Sequence, residues 1–63
     1  MQNTMKALAT LAGWHTVPDE RDHTVVRLAL REAKARHNPD AGGNRDLADL
    51  VEHVEDQWLQ AVL

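Results

Sequence analysis

The chain of 63 residues carries 7 basic and 10 acidic side chains, a formal net charge of −3, and no cysteine. So short a chain forms one domain that buries only about 60% of the surface it exposes when unfolded, and lacking cysteine it has no disulfide framework, thiolate metal site or thiol nucleophile. A mildly acidic chain is a poor non-specific nucleic-acid binder, because affinity for phosphate comes largely from clustered cations. With no Phe or Tyr and only 2 Trp, it also lacks the aromatic platforms of single-strand binders.

No run of about 20 apolar residues is present to span a membrane. Met1-Gln2-Asn3-Thr4-Met5-Lys6 has no charged region followed by an apolar block, so a signal peptide is not expected and a cytoplasmic location is. Stability must come from helix packing or from a partner.

The first periodic segment covers Asn3 to Gly13, with Met5, Leu8, Leu11 and Ala12 at helical spacing. Asn3 or Thr4 is the expected N-cap and Gly13 the expected end. About ten residues make a helix too short to stand alone in water, so it must dock. Trp14 is expected to fold back over the core, because an exposed indole is costly in so small a domain.

His15 to Asp19 connects to a second helix that begins between Pro18 and His23 and runs to about His37. Pro18 suits a first helical turn, and Asp19, Glu20 and Asp22 favour the positive end of the helix dipole. Projected at 100° per residue, Val25, Val26, Ala29, Leu30, Ala33 and His37 share an arc of roughly 140°. Arg27, Arg31 and Lys34 form a separate polar stripe, while Leu28 and Ala35 lie away from the apolar arc.

The stretch Arg36 to Asn44, reading Arg-His-Asn-Pro-Asp-Ala-Gly-Gly-Asn, breaks the periodicity. Proline disfavours the helical conformation of Asn38 before it. Asp40 supplies a side-chain acceptor for backbone N–H groups, and Gly42 and Gly43 are free to take positive φ. The third helix is expected from Asn44, a good N-cap, with Asp46 in its first turn. Leu47, Leu50, Val51, Val54, Trp58, Ala61 and Val62 give it the strongest periodicity in the chain, and Asp49, Glu52 and Asp56 lie opposite. Helices two and three then form an antiparallel hairpin with the first helix packed across it, an all-α, three-helix domain over residues 1–63.

Chemistry is sparse. His15, His23, His37 and His53 are not spaced as a helical metal pair, and no metal or other cofactor is expected. His37 reads as a helix-end residue whose imidazolium favours the C-terminal dipole, and His53 as an edge residue of the helix-three core. The exposed carboxylates have no concave pocket around them and there is no serine, so no catalytic residues are expected and the chain reads as a non-enzyme. Arg27, Arg31 and Lys34 read either as a solvated face or, beside a rigid Pro-Asp turn, as a docking surface for an acidic partner.

This order of elements and several local residues resemble the J-domain family, co-chaperones of DnaK-type ATPases. Ala29-Leu30-Arg31 is similar to the family's Ala-Tyr-Arg, and Val26 stands where an isoleucine is usual. Asn38-Pro39-Asp40 falls where the family carries His-Pro-Asp, and Ala41-Gly42-Gly43-Asn44 resembles the Lys-Gly-Gly-Asn/Asp that follows it. Gln57-Trp58 matches the Ala-Tyr of the third helix. The similarity covers about Leu8 to Leu63 and is concentrated in residues 26–44, without the family's fourth helix.

The resemblance implies a three-helix J-domain-like fold and a protein partner, either a DnaK-type chaperone or another J-domain protein. It implies a docking site of Arg27, Arg31, Lys34, His37, Asn38, Pro39 and Asp40. In the family the histidine of the motif is needed to stimulate the partner's ATPase. Asn38 cannot become a cation as histidine can, so a degenerate module that binds without stimulating is expected. An alignment with one inserted residue would make His37 the motif histidine; substitution keeps Arg31 in register without a gap. The competing expectations are a functional co-chaperone despite the altered motif and a small DNA-binding domain reading with helix two. A homo-oligomer joined through Leu28, Ala35 and Ala61-Val62-Leu63 is another.

Overall fold

The computed structural model describes residues 1–63. Three helices account for the order of the chain: α1 (Gln2–Ala12), α2 (His23–Arg36) and α3 (Arg45–Val62), with one 3₁₀ turn at Pro39–Ala41. There are no strands, and the helices form a three-helix bundle.

α1 begins two to three residues earlier than the expected caps imply. Met1 is the N-cap, and neither Asn3 nor Thr4 caps the helix with its side chain. The Thr4 hydroxyl is used across the bundle instead, donating to Gln57 Oε1 at 3.2 Å. The C-terminal end follows expectation: Gly13 takes φ +74°, a conformation that costs a residue with a Cβ about 1–2 kcal/mol. Its N–H reaches Thr10 O at 3.2 Å while Trp14 N–H reaches Ala9 O at 2.8 Å, the paired bonds of a Schellman ending.

From Gly13 the chain doubles back to the start of α2. Trp14 is half-buried against the core, and its indole N–H donates to the Glu32 carboxylate of α2. Pro18 is buried in this loop and does not open a helix. Asp19 accepts the Arg21 N–H at 2.9 Å, a local turn that competes with helix formation and delays α2 to His23. The first turn of α2 therefore contains no acidic residue. Asp22 acts as its N-cap, accepting the Val25 N–H at 3.3 Å.

The core joins Met5, Leu8, Leu11 and Ala12 of α1 to Val26, Ala29, Leu30 and Ala33 of α2 and to Val51, Val54 and Trp58 of α3. Each large side chain buried this way contributes about 1.5–3 kcal/mol. Trp58 ties the ends together. Only 1% exposed, it donates its indole N–H to Glu20 O at 2.9 Å. The His23 and Trp58 rings stand edge to face with their centroids 5.2 Å apart, and the Arg27 guanidinium lies 5.6 Å from the Trp58 ring centre.

Cross-helix contacts fix the directions. His23 and Arg27, early in α2, meet Trp58 late in α3, whereas the end of α2 faces Ala48 and Val51 near the start of α3. The two helices are antiparallel. α1 and α2 finish at the same end of the bundle, where His37 reaches the Leu11 carbonyl.

Parts of the apolar stripe of α3 are left uncovered. Leu47 and Leu50 remain 37% and 42% exposed, and Ala61 is exposed as well. Leu50 projects 100° around the axis from Val51, at the edge of the stripe, while Leu47 and Ala61 sit in the terminal turns. His53 is exposed rather than at the core edge, since it projects 200° from Val51. No helix is long and apolar enough to cross a membrane.

Candidate docking turn and basic stripe

The turn between α2 and α3 is built by three residues with separate tasks. Asn38, held extended at φ −69° and ψ 116° as a residue before proline must be, accepts the Asp40 N–H on its side-chain oxygen at 2.9 Å. Its backbone carbonyl accepts two more bonds, from Ala41 N–H at 3.0 Å and Gly43 N–H at 2.8 Å. The side-chain acceptor that organises the turn is thus Asn38 and not Asp40. Asp40 lies two residues into the turn, where its own N–H is the donor.

The two glycines are needed for different reasons. Gly42 takes φ +86° with open space around its Cα. Gly43 does not adopt positive φ; a Cβ there would lie 2.5 Å from the His37 carbonyl carbon and 2.7 Å from Asn38 O. Gly43 therefore lets one strand of backbone lie directly on another. Asn44 then starts α3 as expected, accepting from Asp46 N–H at 2.7 Å and Leu47 N–H at 3.4 Å.

Along α2, Arg27, Arg31 and Lys34 all face solvent, but they are not equivalent. Arg27 stacks on Trp58. Lys34 Nζ pairs with Glu55 Oε2 at 2.9 Å, with half of its side chain still exposed. Ion pairs occur only there and at Asp19–Arg21, which leaves the Arg31 guanidinium and the Asp40 carboxylate without partners. Helix geometry puts Glu32 and Arg36 on the side of α2 facing Trp14 and Gly13, away from this stripe.

His37 ends α2 as expected, its backbone N–H bonding Ala33 O, but its ring is placed differently. Its ring serves the carbonyl end of α1 rather than that of its own helix, with Nε2 2.8 Å from Leu11 O. A carbonyl oxygen can only accept, so Nε2 carries the proton. The Arg36 guanidinium lies against Gly13 at the same junction, so α1, which has no basic residue in its own last turn, receives both groups from α2.

Four of the seven expected site residues, Lys34, His37, Asn38 and Pro39, line one open groove of about 290 Å³ together with Ala48, Val51 and Glu52. Arg27, Arg31 and Asp40 do not line it. Glu52 belongs to the acidic face of α3, itself a second possible surface from sequence, but the lining by Ala48 and Val51 is not evident there. Ala48 was the available signal, a small residue one turn into α3 among larger apolar ones.

The groups with shifted ionisation lie elsewhere. The Arg21 N–H, and then its guanidinium, hold the exposed Asp19 carboxyl below its ordinary value, and Asp19 raises Arg21 in return. Both precede α2, at the opposite end of that helix from the turn. What the turn region offers is shape and charge: a fixed loop, an open groove, and the Arg31 guanidinium and Asp40 carboxylate, neither of them in an ion pair. Compared with protein-family models, curated proteins and solved structures, the chain matches none.

Proposed function

We propose that the chain is a small, non-catalytic protein-binding module resembling a degenerate J-domain. It docks on a DnaK-type chaperone, or on another protein with a matching acidic surface, without stimulating ATP hydrolysis. The observation that carries this reading is Arg31. Of the three cations on the stripe it alone has no intramolecular partner, and it lies on the helix that leads directly into a rigid Pro-Asp turn.

Loss of stimulation is supported by the chemistry of position 38. The Asn38 oxygen is committed to the Asp40 N–H, and its amide cannot become a cation. The test is the ATPase rate of a DnaK-type chaperone with the native chain and with Asn38→His. The native chain is expected to leave the rate near basal and to compete with an active J-domain for the chaperone. Strong stimulation by the native chain would contradict the proposal and favour a working co-chaperone.

A further inference from the structure

We infer that His37 is a positioning residue of the docking turn, acting through α1 rather than through contact with a partner. This rests on the docking reading above only for its consequence; the geometry stands by itself. An unbroken series of contacts runs from the end of α1 into the turn. The Leu11 carbonyl accepts from His37 Nε2 at 2.8 Å. The His37 backbone is the surface on which Gly43 lies, close enough that a Cβ on Gly43 would be 2.5 Å from the His37 carbonyl carbon. The next residue, Asn38, receives the N–H groups of Asp40, Ala41 and Gly43. The imidazole therefore fixes the backbone on which three of the turn's hydrogen bonds, from Asp40, Ala41 and Gly43, are hung.

Its position explains why the group is a ring of this kind. The Schellman bonds serve the Ala9 and Thr10 carbonyls but not that of Leu11, and α1 has no basic residue in its last turn. His37 is half-buried between that end and the groove, where a donor at the reach of Nε2 is required. The glutamine amide nitrogen stands at a comparable distance along the side chain and also donates; alanine does neither.

The experiment is hydrogen exchange of the Ala41 and Gly43 amides in the native chain, His37→Ala and His37→Gln, with Thr4→Val as a control. Thr4→Val also removes a contact of α1, the bond to Gln57, but far from the turn. His37→Ala is expected to speed exchange at Ala41 and Gly43 roughly fivefold beyond any change in the Val54 amide, the size expected from losing one hydrogen bond. His37→Gln should recover most of that protection, and Thr4→Val should leave the ratio to Val54 unchanged.

Equal acceleration of Val54, Ala41 and Gly43 in His37→Ala would overturn the inference, as would failure of glutamine to restore protection. A parallel titration of a DnaK-type chaperone separates the two proposals. If the native chain does not bind the chaperone, the docking reading fails while the exchange result still decides the role of His37.

Discussion

Gly43→Ala is the most demanding test of how the turn is built. A Cβ at this position would approach His37 C to 2.5 Å, Asn38 O to 2.7 Å and Asn38 N to 2.8 Å. All three are backbone atoms that no rotamer change can move. Relief requires the chain to separate, which lengthens the 2.8 Å bond from Gly43 N–H to Asn38 O. Overpacking costs about 1–3 kcal/mol and the lost bond about 1 kcal/mol more.

Gly42→Ala is the internal comparison, because it is strained only by its φ of +86° and meets nothing within 4 Å. Its cost is about 1–2 kcal/mol. At about 4–8 °C per kcal/mol for a domain of this size, Gly43→Ala should lower Tm by roughly 8–32 °C and Gly42→Ala by roughly 4–16 °C. Thermal unfolding followed by circular dichroism at the helix band measures both. A Gly43→Ala variant as stable as Gly42→Ala would refute the close backbone approach on which the turn rests.

Asn44→Ala removes the N-cap of α3 and should cost about 1 kcal/mol by chemical denaturation, with Asn44→Asp retaining most of it. Trp58→Phe keeps the buried ring but loses the donor to Glu20 O; it should cost about 1–2 kcal/mol, mostly through the loop that precedes α2, and Trp58→Ala about 3–5 kcal/mol. Asp19 has a folded pKa below its ordinary value. Its contribution is therefore present above the unfolded pKa and lost as pH falls through the folded one. Asp19→Asn should leave stability near neutral pH slightly reduced and flatten the acid limb of a Tm–pH curve; an unchanged acid limb would refute the Arg21 contact.

Much of the fold is legible in the residues because local signals agree. The period of α3, its Asn44 cap and the Gly13 ending of α1 each follow from one strong preference, and tertiary packing does not oppose them. The start of α1 and the Pro18 region are less legible. Thr4 finds a partner in Gln57, 53 positions away, and Asp19 folds onto Arg21 instead of opening a helix. No local pattern announces a partner chosen by the fold.

The same division holds at the site. The break at Asn38-Pro39 and the basic stripe are evident in sequence. Which of the stripe's cations is free is not, since Arg27 and Lys34 are engaged by Trp58 and Glu55 on another helix. His37 is similar: its ring points to Leu11, a residue linked to it only through the packing of α1.

The central proposal is that the stripe beside the turn is a docking surface centred on Arg31. It is tested most directly by calorimetric titration of a DnaK-type chaperone with the native chain, Arg31→Glu and Lys34→Glu, at low and at physiological salt. Because Lys34 is already shared with Glu55 and Arg31 has no partner, Arg31→Glu should weaken binding roughly tenfold or more, and more than Lys34→Glu. Binding by the native chain that Arg31→Glu leaves unchanged, or no binding by the native chain at all, would contradict it.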